Sequence, residues 1–506
     1  MMGRILSLPF IVILMGIAAL AMLVPAAYGV TVREWEASRS FFYASILFLV
    51  LTSFIGIATV NNTSRPIVRS HLLALLGAYV LLPLMLAVPF VEAVHDTSYL
   101  NGYFEMLSSL TTTGATLFDE PARLPDSVHL WRAIVGWLGG FFIWVTAIAI
   151  LEPLNLGGFE VTARARTALS GAYFSQVSGQ ADPSQRLARH AARLLPVYTG
   201  LTLALWVFLM LAGETPFVAV NHAMSTLATS GISPVGGMSG SEAGLAGEGL
   251  VFIFLFFAIS RLTFAPETQS ESLPRLVRDP EFRMGLLCVV LVPTLLFLRH
   301  WIGAFEVAGE ENARAAFKAL WGGAFTVLSF LSTTGFESAD WEGARGWSGL
   351  QTPGLILVGL ALVGGGVATT AGGVKLLRVY ALYKHGAREL DRLVHPSSVG
   401  GSGTEARHMR RQGAYMAWIF FMLFALSVAV VMAALSLSGL EFEPAMVLTV
   451  AALSTTGPLA GVAVEPAVTY SELSDSAKLI LGAAMVLGRL ETLAIVALFN
   501  PGFWRA

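Results

Sequence analysis

The stretch Leu110-Thr111-Thr112-Thr113-Gly114 ends a short apolar run, and its pattern, Leu-x-Thr-[Ser/Thr]-Gly, returns three more times. The other copies are Leu227-Ala228-Thr229-Ser230-Gly231, Leu331-Ser332-Thr333-Thr334-Gly335 and Leu453-Ser454-Thr455-Thr456-Gly457, and the pattern occurs nowhere else in the chain. The glycines stand 117, 104 and 122 residues apart. Each copy is flanked on both sides by an apolar span long enough to cross a bilayer. A single copy would read as a glycine cap on a helix C-terminus. Four copies in equivalent places do not, because capping asks neither for paired hydroxyls before the glycine nor for the leading Leu.

The surrounding composition fixes the solvent. Of 506 residues, 55% are hydrophobic and 13% charged, whereas soluble domains carry about 25% charged residues. That leaves too little polar surface for a soluble protein of this size and places the chain in a lipid bilayer. The formal net charge of −2 and the lack of a basic run exclude a nucleic-acid partner. With one cysteine, Cys288, disulfides within the chain and thiolate metal clusters are excluded. The N-terminus, Arg4 followed by Ile5 to Leu23 and Pro25-Ala26-Ala27, resembles a signal peptide. Its apolar run exceeds the roughly 7–15 residues of a signal core, so it reads as a retained first transmembrane helix.

Ten crossings are expected, at 5–28, 40–60, 71–94, 131–152, 194–213, 249–266, 284–302, 351–382, 413–438 and 477–499. Segments 99–112, 216–229, 314–333 and 442–455 end at the motifs and suit half-helices that enter the membrane and turn back. The fold expected is all-α and integral to the membrane. A two-helix segment (1–66) precedes four units of span, pore helix, loop and span around one pseudo-fourfold pore: 67–185, 186–281, 282–404 and 405–506.

Orientation follows from Lys and Arg near the span ends. The segments between units are basic: Arg65 and Arg69; Arg164, Arg166, Arg186, Arg189 and Arg193; Arg275, Arg278 and Arg283; Lys384, Arg388, Arg392, Arg407, Arg410 and Arg411. These should be cytoplasmic, with both termini. The segments after each motif lean acidic: Asp119, Glu120 and Asp126; Glu242 and Glu248; Glu337, Asp340 and Glu342; Glu465, Glu472 and Asp475. A negative mouth facing outward would concentrate cations. Residues 395–406, rich in Ser and Gly, read as a flexible cytoplasmic linker.

A cation leaving water needs oxygens in place of its hydration shell, and rings of backbone carbonyls supply them without fixed charge. Glycine lets the backbone aim several carbonyls inward. The candidate K⁺ ligands are Thr112, Thr113 and Gly114; Thr229, Ser230 and Gly231; Thr333, Thr334 and Gly335; and Thr455, Thr456 and Gly457. Their hydroxyls can satisfy loop backbone that water does not reach. Each preceding half-helix would turn the negative end of its dipole toward the centre.

Further stretches carry a resemblance: Gly136-Trp137-Leu138-Gly139-Gly140, the run from Gly364 to Lys375, and Leu487-Gly488-Arg489-Leu490-Glu491 with Phe499-Asn500-Pro501-Gly502-Phe503-Trp504-Arg505. Together with the four loops they resemble, in order and over nearly the whole chain, the Trk/Ktr/HKT superfamily of potassium transporters, and within it the bacterial TrkH-type membrane subunit. The resemblance implies K⁺ as the transported ion, with no covalently bound cofactor, and a pathway within one subunit. It also implies a homodimer, control by a cytoplasmic RCK-type nucleotide-binding subunit (TrkA-like), and a bacterial inner-membrane location. Gly114 matches the K⁺-selective members, since relatives with serine there tend toward Na⁺. The fourth loop departs from the family: Ser454-Thr455-Thr456 stands where TrkH-like sequences often carry asparagines before Gly-Pro-Gly.

The run containing Gly364, Gly365, Gly366, Thr369, Thr370, Gly372, Gly373 and Lys375 interrupts an apolar span. A helix through it would lose roughly 1 kcal/mol per glycine. It reads either as an unwound gate below the loops, which the resemblance favours, or as a small-residue helix contact. Lys375 is a gate residue or an interfacial snorkel. Arg489, inside the last span, needs a wet cavity or a partner, and the resemblance makes it a positive barrier. Arg261, Glu152 and His222 read as satisfied or interfacial groups. Na⁺- or H⁺-coupled symport is the alternative to a K⁺ pathway of this kind. An intramembrane enzyme is disfavoured, since there is no His-Glu-x-x-His, Walker loop or Gly-x-Ser-x-Gly.

Overall fold

Each motif terminates a short helix that packs against the long helix before it. The short helices are Tyr99–Leu110, Pro216–Ala228, Ala313–Leu331 and Phe442–Leu453. Their long partners are Val68–Val94, Pro183–Leu211, Pro280–Ile302 and Arg411–Leu437. The computed structural model describes residues 9–59, 68–152, 156, 158–161, 183–260, 276–302, 313–350, 352–395 and 411–491. No strand occurs among the described residues. Several expected features lie outside them: Arg65, Arg164, Arg166, Arg261, Arg275, Arg407, Arg410, linker positions 396–406, the 499–505 stretch and both termini.

Local signals place the short helices. Ser98 caps the first through an Oγ that accepts from the Asn101 amide at 3.2 Å, satisfying a donor the helix cannot. Pro216 opens the second at a position where its missing N–H is not needed. After each loop comes a second helix: Asp126–Thr146, Gly244–Leu255, Gly354–Val363 and Asp475–Leu490. Contacts between units run in one cyclic order. The short helices of units two, three and four pack on the second helix of the unit before, and that of unit one packs on Asp475–Leu490 of unit four.

Among the described residues, seven helices are long and apolar enough to cross a membrane: Phe10–Thr31, Trp35–Thr59, Leu72–Val94, Asp126–Leu151, Leu187–Leu211, Pro280–His300 and Gly413–Leu437. Three of the ten expected crossings differ from expectation. Within the described part of the 249–266 span, helix covers Gly244–Leu255 and a single tight turn to Ala258, and it has ended by Ile259; 261–266 lie outside the described residues. The 351–382 span stops at Val363 and resumes at Leu376. The helix expected at 477–499 runs over Asp475–Leu490 and ends before Glu491; 492–499 lie outside the described residues. Burial separates the layers: the Asp126–Leu151 window is 72% buried, those of Leu187–Leu211 and Gly413–Leu437 only 22%. In water such apolar exteriors would be costly; in lipid they are the expected outer wall.

The N-terminal pair is pinned at both ends. Ser38 and Ser45 hydroxyls donate to the Ala26 and Ala19 carbonyls, each at 2.7 Å, closing the hairpin. Glu34 reaches the start of Asp126–Thr146, accepting from the Asp126 amide at 2.8 Å and the Ser127 amide at 3.0 Å. A carboxylate there satisfies orphan donors and complements the helix dipole.

Candidate functional site

The four loops repeat one backbone conformation to the level of single hydrogen bonds. Thr112, Thr229, Thr333 and Thr455 have φ of 54°, 50°, 60° and 55°. The next residue's amide returns to the helix: Thr113 to the Ser108 carbonyl at 2.8 Å, Ser230 to Ser225 at 3.0 Å, Thr334 to Ser329 at 2.9 Å, and Thr456 to Ala451 at 2.8 Å. These are helix caps of the Schellman type, with the left-handed residue a threonine where glycine is usual. A β-branched residue in that region costs roughly 1–2 kcal/mol, a strain kept only where the surroundings over-determine it. The cap is thus made by threonine, and the glycine two residues later is left for another task.

The second hydroxyls are held in matching ways. Thr113, Thr334 and Thr456 Oγ1 lie 2.8, 3.0 and 3.2 Å from the hydroxyls of Thr111, Ser332 and Ser454. In the second loop Ala228 occupies that supporting place, and Ser230 pairs instead with Ser225 at 3.1 Å. All eight motif hydroxyl residues at these two positions are buried.

The four glycines face one another in a ring. A Cβ on Gly114 would strike the Ser230 carbonyl oxygen, one on Gly231 the Thr334 carbonyl oxygen, one on Gly335 the Pro458 ring, and one on Gly457 the backbone of Gly114 and Ala115. Each glycine therefore abuts the next loop, and the fourth returns to the first. The Gly457 amide closes the circle with a 2.6 Å bond to the Thr113 carbonyl. Gly114, Gly231 and Gly335 have φ of 71°, 65° and 85°; Gly457 has no positive φ, so the fourth loop differs in backbone as it does in sequence. All four line one cavity of about 310 Å³ with Thr116, Asp119, Glu337 and Tyr470.

The acidic mouth is narrower than the sequence suggests. Asp119 and Glu337 line the cavity. Glu248 is buried behind the third loop, accepting from the Ala339 amide at 2.6 Å and the Ser338 hydroxyl at 2.8 Å. Asp340 pairs with Lys318 at 2.9 Å, Asp475 with Lys478 at 3.8 Å, and Arg345 takes both Glu342 and Glu465. Burial raises the pKa of Glu337, against the lowering influence of Arg345 and with a further push from Glu342.

Residues Gly364 to Lys375 are non-helical and buried. Gly364 has φ 71° and ψ −176°, a region essentially reserved for glycine, while Ala368 and Lys375 carry φ of 54° and 86°. The segment lies against three of the four loops. The Gly372 amide donates to Thr333 Oγ1 at 2.7 Å, Thr370 Oγ1 to the Leu227 carbonyl at 3.2 Å, and a Cβ on Gly372 would strike the Ser454 carbonyl. Two more of its amides are satisfied from distant elements, Gly366 by the Ala258 carbonyl at 3.0 Å and Val367 by Glu281 at 2.8 Å, whereas the Ala371 amide stays inside the segment on Thr369 Oγ1 at 3.3 Å. Lys375 Nζ turns back onto the Ala371 carbonyl, buried. Arg489 Nη1 donates to the Thr370 carbonyl at 2.7 Å. All the gate candidates thus meet in one place.

Sequence reasoning missed two sets of residues. Arg378, fully buried, forms a 2.6 Å ion pair with Glu491 and stacks over Phe420 at 3.5 Å; positions 113 apart give no local signal. Glu105 and Arg132 form a buried ion pair at 3.0 Å behind the first loop. His222 Nε2 is 2.9 Å from Ser233 Oγ.

A family model described as TrkH, cation transport protein, matches residues 249–504. The Trk system potassium uptake protein TrkH of Vibrio parahaemolyticus is 32% identical over 83% of this chain and 83% of its own length. The Escherichia coli protein of the same name is 29% identical over 96% of both chains. The crystal structure of the potassium transporter TrkH from Vibrio parahaemolyticus superposes with a TM-score of 0.80 at 28% identity, covering 100% of each chain. The chain belongs to the TrkH family of membrane cation transport proteins, ion transporters and not enzymes.

Proposed function

We propose that this chain takes up K⁺ across the bacterial cytoplasmic membrane along a single path through the ring of four loops. The observation that carries this is the closed circle in which each motif glycine abuts the next loop. Four half-helix C-termini, strained threonine caps and glycine-borne limbs meet at one cavity, where carbonyl and hydroxyl oxygens can replace the water around a desolvated cation. Relatives named as potassium uptake proteins support K⁺ as the ion. In this reading the ligands are Thr112 to Gly114, Thr229 to Gly231, Thr333 to Gly335 and Thr455 to Gly457.

The segment from Gly364 to Lys375 is the gate and Arg489 its latch, the residue adding positive charge beneath the loops. The full architecture is ten crossings in four units, with both termini cytoplasmic. The family resemblance extends the proposal to a homodimer controlled by a cytoplasmic RCK-type nucleotide-binding subunit.

The test is uptake of radioactive rubidium, a K⁺ tracer, by purified protein in liposomes, with and without imposed Na⁺ and H⁺ gradients. Uptake that follows its own gradient supports a passive path; uptake only with a second gradient supports coupling. In the same assay Gly114→Ser should lower K⁺ over Na⁺ discrimination about tenfold, because its Cβ meets backbone rather than a side chain that can move away. An unchanged ratio would remove the loops from the filter role.

A further inference from the structure

Nine residues before each motif glycine the chain carries Glu105, His222, Thr326 and Leu448. The first three are buried polar groups within apolar short helices. Each binds the limb of chain that leaves its own glycine. Glu105 Oε1 accepts from the Thr116 hydroxyl at 2.9 Å and the Leu117 amide at 2.6 Å. His222 Nε2 meets Ser233 Oγ at 2.9 Å, and Thr326 Oγ1 accepts from the Ser338 amide at 3.3 Å. A carboxylate, an imidazole and a hydroxyl thus do the same work from one offset. Leu448 has no polar group to offer, and the fourth limb is held differently: the Tyr470 hydroxyl donates to the Gly457 carbonyl at 2.9 Å.

The braces also reach neighbouring elements. Glu105 pairs with Arg132 of the following helix, and Arg132 lines the cavity. The His222 ring packs edge-on against Phe336, the residue after the third glycine, at 5.5 Å. Glu248 of unit two backs up Thr326 by binding Ser338 and Ala339. The limbs belong to no helix or sheet at these points. Their distance from the axis is therefore set by these side chains.

We propose that Glu105, His222 and Thr326 are positioning residues that fix the limbs outside Gly114, Gly231 and Gly335 and so set K⁺ over Na⁺ selectivity, while Tyr470 fixes the fourth limb by holding the Gly457 carbonyl. This rests on reading the loops as the filter. A smaller cation needs its oxygens closer in; a limb freed to move inward accommodates it, and discrimination falls.

The experiment uses full-length protein in liposomes and reads the rubidium-to-sodium flux ratio, the maximal rate and the thermal unfolding midpoint for each variant. Thr326→Val is isosteric and removes one acceptor; Glu105→Leu copies the fourth unit. Each should lower the flux ratio about tenfold, the size of one lost buried hydrogen bond. Glu105→Gln keeps an acceptor for Thr116 and Leu117 and should restore most of the ratio. Tyr470→Phe should shift it as well. If Thr326→Val and Tyr470→Phe lower only the unfolding midpoint and leave the ratio at the wild-type value, the residues merely support the fold and the proposal is overturned. Thr326→Val decides the matter should Glu105→Leu fail to fold. Gly114→Ser separates the two readings: a shifted ratio there with none at the braces sinks this inference alone, and no shift at Gly114→Ser sinks the filter itself.

Discussion

Two glycine- and threonine-rich regions meet at the centre of this molecule and are stabilised in different ways. The motif loops close on themselves: each cap closes within six residues, and the second hydroxyl of each motif finds a partner inside its own unit, while those of Thr112 and Thr455 have none among the described residues. The segment from Gly364 to Lys375 has local bonds of its own, such as those of the Ala371 amide to Thr369 and of the Val374 amide to Leu362, but it also leans on five distant residues, Ala258, Glu281, Leu227, Thr333 and Arg489. A self-satisfied turn keeps its shape when its neighbours move. One that depends on its neighbours has a second arrangement within reach, which is what a gate requires. Glycine content alone does not decide between these outcomes. Gly136, Gly139 and Gly140 stay helical within Asp126–Thr146, where the missing Cβ atoms of Gly139 and Gly140 let Leu110 and Ala228 backbone approach.

The sharpest way to break this contrast is at Gly364. Its φ and ψ suit only glycine, and a Cβ would strike the Gly372 carbonyl. Gly364→Ala should therefore unseat the segment by about 2 kcal/mol or more and raise basal rubidium flux at least tenfold with the rubidium-to-sodium ratio kept. Flux that stays at the wild-type level would mean the segment obstructs nothing. Arg489→Gln comes next. It keeps a donor for the Thr370 carbonyl but removes the positive charge, and flux should rise several-fold; a fall in flux with an unchanged unfolding midpoint would make Arg489 a support of the path instead. Thr370→Val removes a single 3.2 Å bond to the Leu227 carbonyl. Worth about 1 kcal/mol, its loss should raise flux about fivefold, and a change in selectivity at this site would show that segment and loops are not separable.

Much of this arrangement is legible in the sequence because it is repeated. The expected half-helices at 99–112, 216–229, 314–333 and 442–455 lie within two residues of the helices at both ends, since a motif marks each C-terminus. Less legible were the caps: propensity assigns the left-handed position to Gly114 and its counterparts, whereas the fold also places Thr112, Thr229, Thr333 and Thr455 there. The apolar runs of units two and three read as continuous helix but are broken after Ala258 and Val363, because hydropathy does not register where a helix runs out of backbone partners. The 351–382 span breaks at Gly364 where three consecutive glycines meet a Thr-Thr pair, a local signal the composition did carry. The braces at Glu105, His222 and Thr326 were missed because each, taken alone, is an ordinary interior polar group. Their common offset from the glycines was the available signal.

The smallest effect belongs to Glu337, on the outer side of the third loop. Burial raises its pKa, Arg345 opposes this and Glu342 adds to it. A carboxyl whose folded pKa lies above its unfolded value binds protons more tightly in the fold. Stability is then full below the unfolded pKa and declines as pH rises toward the raised folded value. Wild type and Glu337→Gln should accordingly have similar unfolding midpoints in acid, and wild type should fall below the variant as pH rises through that window. Protonation also removes one of the two negative charges at the cavity, so half-saturation for K⁺ should move to higher concentration in acid for wild type and not for Glu337→Gln. The rubidium-to-sodium ratio should be the same across this range, because a loop capped by its own helix does not change shape when a charge at its rim is neutralised. A pH-dependent ratio abolished by Glu337→Gln would show that the third loop yields to its surroundings as the gate segment does, and the distinction between the two regions would not hold there.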